Sequence, residues 1–327
     1  MLSALQRALT LGLLSLAVLW GAGWWWAGWP VLGAAGASLT VGGHALLMAI
    51  ELAIGWRLNR ADPAPQATFA QVLRAWWAEA RIAPTVFCWS QPFRSALHAD
   101  ALEASQPARH RGVVLVHGFL CNRGFWNAWM RRLRPLGVPF IAVSLEPVFG
   151  PIEGYADQID KAVRRMTAVT GLAPVVVAHS MGGLAVRSWL RSVRRGESTG
   201  TCTARVHHVV TIGTPHRGTF LARFGSAPST AQMRLASAWL SDLQATEPAS
   251  QEQRFTCFYS HCDNVVFPAS TATLPGADNR HLPAAAHVDM AFHDEVFEAV
   301  LERTALDQAA GSKRRSPGST TPASIVG

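Results

Sequence analysis

Ser180 is the side chain best placed in this sequence to act as a nucleophile. It ends the apolar run Val175-Val176-Val177-Ala178-His179 and precedes Met181-Gly182-Gly183-Leu184. A β-branched apolar run reads as a buried strand, and the segment after the serine reads as a helix. The pattern small-x-Ser-x-Gly between a strand and a helix makes a tight turn that pushes the hydroxyl out over the sheet edge. Such a turn has no room for large side chains two positions before or after the serine, where the chain has Ala178 and Gly182. The new helix offers unpaired N–H groups, that of Met181 first, to an oxygen gaining negative charge. The chemistry this favours is attack on a carbonyl carbon through a covalent intermediate. A serine that merely caps a helix is the plainer alternative. The preceding strand and the surrounding motifs favour the nucleophile.

A second donor for the same oxygen is legible about 60 residues upstream. Val113-Val114-Leu115-Val116 reads as a buried strand running into His117-Gly118-Phe119. His117-Gly118 lets the backbone come close to a substrate, and the Phe119 N–H then stands opposite Met181 N–H. His179 and Gly182 support the turn around Ser180. Between and after these pieces the spacing predicts a helix near 124–135, a strand near 138–144, a helix near 154–169, the strand 174–179, a helix from Ser180 to Arg194, and a strand from Val206 to Ile212. This β-α alternation predicts an α/β fold, a mostly parallel sheet with helices on both faces. His207 and His208 read as structural.

Gly213-Thr214-Pro215-His216-Arg217-Gly218 follows the strand after the serine turn. With His117-Gly118-Phe119 and Ala178-His179-Ser180-Met181-Gly182-Gly183, it resembles the lipase/esterase branch of the α/β-hydrolase superfamily. Ala178 departs from the usual first glycine, as in some bacterial lipases. The resemblance covers roughly 111–303 and implies ester substrates. It also implies a chain order of serine, then acid, then histidine. Asp263 follows the apolar strand of residues 254–260 and fits the acid better than Asp242, Asp278 or Asp289. Asp242 lies inside an insertion, Asp278 in a turn, and Asp289 after the base. His287 precedes the last amphipathic helix, as the family's base does, and is preferred over His281 and His293. His216 reads as structural or site-lining. The spacing of His281, His287 and His293 matches no metal-ligand pattern, so no metal and no cofactor are expected. Residues 220–253 read as a possible lid.

The rest of the chain must position this site. Of the 327 residues 49% are apolar, and the net charge of +8 is scattered. No aromatic-interleaved basic stripe occurs, which argues against nucleic acid as a partner. Five cysteines at irregular spacing give no disulfide framework, although Cys257 and Cys262 could pair in an oxidising space. Residues 1–62 read as a membrane hairpin. Two apolar segments, about 8–28 and 31–56, flank the turn Gly28-Trp29-Pro30, and each is long enough to cross roughly 30 Å of hydrocarbon. Trp24, Trp25, Trp26 and Trp29 suit an interfacial belt, and Gly33, Gly36, Ala37, Gly42 and Gly43 give a small-residue face for close helix approach. Glu51 lies near enough to Arg57 to reach the interface. Arg7, Arg57 and Arg60 flank the segments and an uncharged loop joins them, which predicts cytoplasmic ends at an inner membrane. A cleavable signal with a periplasmic domain is the rival, but its apolar part is too long.

Residues 63–110 read as an amphipathic connector. Phe69, Val72, Leu73, Trp76 and Trp77 fall at helical spacing, with the polar Glu79 off that face. This helix covers the catalytic domain or lies on the bilayer. The stretch from Ala83 to Arg111 carries no visible chemistry. Residues 111–307 form the catalytic domain and 308–327 a disordered tail. Taken together, the sequence predicts a membrane-anchored serine hydrolase acting on small-molecule acyl esters or lipids. Ser180, His287 and Asp263 form its triad, and Phe119 and Met181 its oxyanion donors. Acyl transfer, thioester cleavage and a non-catalytic membrane scaffold are the alternatives. The hairpin is expected to hold the enzyme at its substrate without helping to build the site.

Overall fold

The apolar start of the chain forms two long helices, α1 (Leu2–Trp26) and α2 (Pro30–Leu58), in a computed structural model that describes residues 1–103, 110–196 and 205–306. Both run longer than the apolar periodicity indicates. Each has the length and composition to cross a membrane, and only 11% and 6% of their most apolar windows are buried. Their apolar side chains therefore face outward and not into a protein core. A Cβ on Gly33 would lie 2.9 Å from the Gly21 carbonyl oxygen, so Gly33 sets the close approach of the pair. Gly42 meets nothing within 4 Å and takes no part in that contact.

Next comes α3 (Phe69–Pro84), opened by a capping box in which Thr68 and Gln71 satisfy each other's backbone N–H groups. The chain stays helical through residues 85–90 into α4 (Gln91–Arg94), where the sequence offered no regular pattern. The expected apolar face of α3 is not its buried face. Phe69, Leu73 and Trp77 are exposed, whereas Ala75, Glu79 and Ala83 are buried. Small residues let α3 lie close against its neighbours, leaving the bulky apolar ones pointing away from the protein.

The remaining elements are β1 (Val113–Val116), α5 (Asn127–Leu133), β2 (Phe140–Ala142), α6 (Ala156–Thr170), β3 (Val175–His179), α7 (Met181–Gly196), β4 (His208–Ile212), α8 (Pro228–Gln232), α9 (Ala238–Ala245), α10 (Ala249–Glu252), β5 (Phe255–Tyr259), β6 (Asp278–His281) and α11 (Asp294–Thr304). The six strands form one sheet in the order β2-β1-β3-β4-β5-β6, with every pair parallel. Asp278 thus belongs to an edge strand and not to a turn.

Alternate residues of the central strands enter two cores. Val114, Val116, Val176 and Ala178 pack with Ile159, Met166, Leu184 and Trp189 from α6 and α7. Val113, Leu115, Val175 and Val177 pack with Trp129, Met130, Val296 and Val300 from α5 and α11. Each buried Val, Leu, Ile or Met among these contributes roughly 1.5–3 kcal/mol by leaving water. The chain reverses its direction across the sheet between β1 and β3. The connections after these two strands leave toward opposite faces, which opens a crevice at the strands' C-terminal ends. The tail 308–327 lies outside the described residues.

Candidate active site

Ser180 sits at the tip of β3 in that crevice, with φ at 55°. This left-handed conformation is strained for a serine and marks a sharp strand-to-helix turn. The turn is pinned through its backbone. Ser180 N–H donates to the Ile212 carbonyl (2.9 Å), and the Ser180 carbonyl accepts from Gly183 N–H (3.0 Å) and the Thr214 hydroxyl (2.9 Å). The Gly-Thr-Pro-His motif after β4 thereby braces the turn. Gly182 has its steric reason too, since a Cβ there would lie 2.5 Å from the His117 carbonyl oxygen.

The loop after β1 lies against the serine. A Cβ on Gly118 would stand 2.8 Å from the Ser180 Cβ. Leu145 N–H donates to His117 Nε2 (2.9 Å), so His117 carries its proton on Nδ1 and donates it to the Gly118 carbonyl (2.9 Å). Burial lowers the pKa of His117 to about 4 and keeps the ring neutral. His117 ties the Phe119 loop to the end of β2. Met181 opens α7, where its N–H has no carbonyl of its own helix to meet.

Asp263 and His287 meet. His287 Nδ1 donates to Asp263 Oδ2 at 2.9 Å, and both side chains are buried. Asp263 Oδ1 accepts from Val265 and Val266 N–H, both at 2.8 Å. Burial opposes charging His287, but the Asp263 carboxylate outweighs it and raises the pKa above the ordinary imidazole value. The His287 backbone is held as well. Its N–H donates to Asn264 Oδ1 (3.1 Å), and its carbonyl accepts from His179 Nε2 (3.0 Å). The His179 and His287 ring centroids are 4.7 Å apart. Among the described residues no hydrogen bond joins Ser180 Oγ to His287 Nε2. Nucleophile-to-base bonds are often loose until substrate arrives.

The competing candidates have other partners. His281 bonds His261 (3.0 Å), and burial lowers its pKa to about 4. His293 bonds Asp289 (3.0 Å), Asp242 pairs with Arg191, and Asp278 with Arg280. His216 is buried, with Nε2 3.0 Å from the Thr211 hydroxyl and its carbonyl accepting from Arg187. Arg187 is in turn paired with the buried Glu247 of the 220–253 segment. His208 bonds the Thr256 hydroxyl. Cys257 and Cys262 are free thiols.

Two groups in the crevice escape a reading of the sequence. Glu51 of α2 accepts from Asn264 Nδ2 at 2.8 Å, so it reaches the loop that carries Asp263 and not the interface. Glu79 of α3 accepts from Val288 and Asp289 N–H. The signal for Glu79 was the Ala75-x-x-x-Glu79-x-x-x-Ala83 row, one small-residue stripe with an acid in its middle. Further ties cross the same boundary. Asn59 Nδ2 donates to the His261 carbonyl (3.1 Å), and its Oδ1 accepts from Ala269 N–H (2.9 Å). At the other helix, Gln6 donates to the carbonyl of Leu120, and Asn122 Nδ2 to the Ser3 hydroxyl. Polar side chains near the ends of both apolar helices thus bond the loops that carry Phe119 and Asp263, contacts that an expected clean split between hairpin and site did not include.

Residues 113–315, more than half of the chain, match the alpha/beta hydrolase family, and the chain belongs to that family. Among solved structures it is similar to Bacillus licheniformis lipase BlEst2 in mature form, at 16% identity and TM-score 0.52, over 61% of this chain and 95% of that one. The propeptide form of that lipase aligns at 16% identity and TM-score 0.51, over 69% of this chain and 54% of that one. Aspergillus fumigatus lipase B aligns at 16% identity and TM-score 0.48, over 62% and 55%. No curated protein matches the chain.

Proposed function

We propose that this protein is a membrane-anchored serine hydrolase that cleaves carboxylic esters of lipid type through an acyl-enzyme. The observation that carries the reading is the buried Asp263–His287 pair beside a serine at φ 55° on the end of β3. His287 Nε2 takes the Ser180 proton while Asp263 holds Nδ1–H and stabilises the imidazolium. The serine oxygen attacks the ester carbonyl, and the Phe119 and Met181 N–H groups receive the oxyanion. Each such donor typically contributes about 2.7–4 kcal/mol to the transition state. The alcohol leaves with the proton from His287, and water then releases the acid by the same steps in reverse roles.

The lipid-type substrate rests on placement. The start of α1 is bonded to the Phe119 loop and the end of α2 to the Asp263 loop. Two outward-facing apolar helices therefore leave the protein beside the catalytic crevice, and α3 exposes Phe69, Leu73 and Trp77. A bilayer around α1 and α2 brings acyl chains to that opening. Charge asymmetry puts the catalytic side in the cytoplasm. Ser180→Ala should abolish fluorophosphonate labelling and lower esterase activity by about 10⁴-fold or more. Labelling that survives the substitution removes Ser180 from the role. A periplasm-dependent phosphatase fused after Asp307 should be silent, and high phosphatase activity would place the domain outside.

A further inference from the structure

Three successive N–H groups of the base loop are held by side chains, one by Asn264 and two by Glu79 of α3. His287 N–H donates to Asn264 Oδ1 (3.1 Å), whose amide is oriented by Glu51 (2.8 Å). Val288 N–H donates to both Glu79 oxygens (3.0 and 3.1 Å), and Asp289 N–H to Glu79 Oε2 (2.9 Å). Glu79 is 1% exposed and lies outside the family-matched region. Its hydrogen-bond partners are backbone groups, not a cation. A buried carboxylate without a cation is costly to keep. Holding a backbone turn needs acceptor oxygens, which an uncharged amide also has. When ionised, Glu79 carries a charge that exceeds that need, and that charge raises the pKa of His287, the neighbour of the residues it holds.

We propose that Glu79 is a positioning residue for His287, fixing the base loop through Val288 and Asp289 and stabilising the imidazolium formed when Ser180 is deprotonated. The proposal rests on the serine-hydrolase reading. Burial raises the pKa of Glu79 to about 7, while the two backbone N–H groups and His287 draw it down. The charged groups acting on Glu79 are His287 of the base loop and Asp263 of the acid loop, while Glu51 of α2 acts alongside Glu79 on His287. His179, on β3, is kept neutral by burial. α3 is therefore part of the catalytic apparatus, although no family motif extends to it.

The test is Glu79→Gln in the full-length protein in vesicles, assayed across pH with a water-soluble butyrate ester and by the rate of fluorophosphonate labelling. The substitution should lower kcat by about 10- to 100-fold, the scale of a small misplacement of a catalytic group, with KM within about threefold. Loss of the carboxylate lowers the His287 pKa, so the acid limb of kcat/KM should move to lower pH. Wild-type kcat with an unmoved limb overturns the proposal. An equal loss at every pH also overturns it, because a purely structural role predicts that. If Glu79→Gln shows no cooperative melt, Glu79→Asp decides. It keeps the charge, so a lowered kcat with the limb in place supports the proposal, and a wild-type kcat or a shifted limb overturns it. Wild-type protein that neither labels nor cleaves esters ends the serine-hydrolase reading and this proposal with it. Active wild type with a Glu79→Gln variant of unchanged kcat and unmoved acid limb ends this proposal alone.

Discussion

His179 donates its Nε2 proton to the backbone carbonyl of His287 across 3.0 Å. The residue before the candidate nucleophile thus holds the candidate base. Phe125 stacks on the His179 ring, with centroids 4.5 Å apart, and fixes its plane. His179→Phe keeps a ring for that stack and removes the donor, leaving a buried carbonyl unpaired. We expect a loss of about 1–3 kcal/mol of stability and a fall in kcat on the order of tenfold, with KM little changed. Thermal melts and steady-state kinetics read both. Unchanged kcat would mean that the His287 backbone is held well enough by Asn264 alone.

The Asp263 carboxylate sets the pH dependence. A general base must be neutral to accept a proton, and the His287 pKa lies above the ordinary 6.5. Activity should therefore rise with pH through a value above about 6.5 and fall away as the solution is acidified past it. Asp263→Asn removes the charge that holds the pKa up, so the acid limb should move down while kcat drops by about 10⁴-fold. A kcat/KM profile for both forms checks the sign. A wild-type acid limb well below 6.5 would contradict the pairing seen here.

The motif-bearing half of the site was legible in the sequence. The Ser180 turn and His117-Gly118 are local patterns that strand-to-helix geometry dictates, whereas Asp263 and His287 were singled out by resemblance to the hydrolase chain order, and the structure brings those two together at 2.9 Å. Glu79 was not legible, because helical periodicity assumes water outside and protein inside. Around α3 that assumption fails: Phe69, Leu73 and Trp77 face away from the protein, and the small-residue stripe carrying Glu79 faces in. Glu51 was read as a charge escaping the bilayer, since nothing in its neighbourhood names Asn264, 213 residues away. The partner of such a long-range polar contact leaves no trace in the residues around it.

Gly213 gives a steric test of the same pair. Its φ is 56°, and a Cβ there would lie 3.0 Å from Asp263 Oδ2 and 3.1 Å from His287 Nδ1. Gly213→Ala adds both backbone strain and a methyl group wedged against the Asp263–His287 bond. We expect kcat to fall by about 10²-fold with the protein still folded. Alanine tolerated at this position with full activity would show that the pair has slack that the geometry denies.

The ends of the apolar helices provide the last test. An anchor that only concentrates substrate predicts that activity on a soluble short-chain ester survives any change in residues 1–62. The contacts predict otherwise. Asn59 bonds both the His261 carbonyl and the Ala269 N–H, and Asp62 accepts from the Ser270 hydroxyl at 2.6 Å, so the two residues clamp both sides of the Asp263 loop. Asn59→Ala in the full-length protein leaves the two apolar helices intact and unpairs two buried backbone groups, at about 1–3 kcal/mol each. Activity should then drop at least severalfold on the soluble ester and on esters in vesicles alike, because the lesion is in the site and not in delivery. Deletion of residues 1–62 should lower both further, since Glu51 and the Gln6 and Ser3 contacts to the Phe119 loop go with it. Melting curves establish whether each variant is folded. A folded truncation that cleaves the soluble ester within a few-fold of the full-length rate, while losing the vesicle substrate, would restore the simple anchor and make the clamp dispensable.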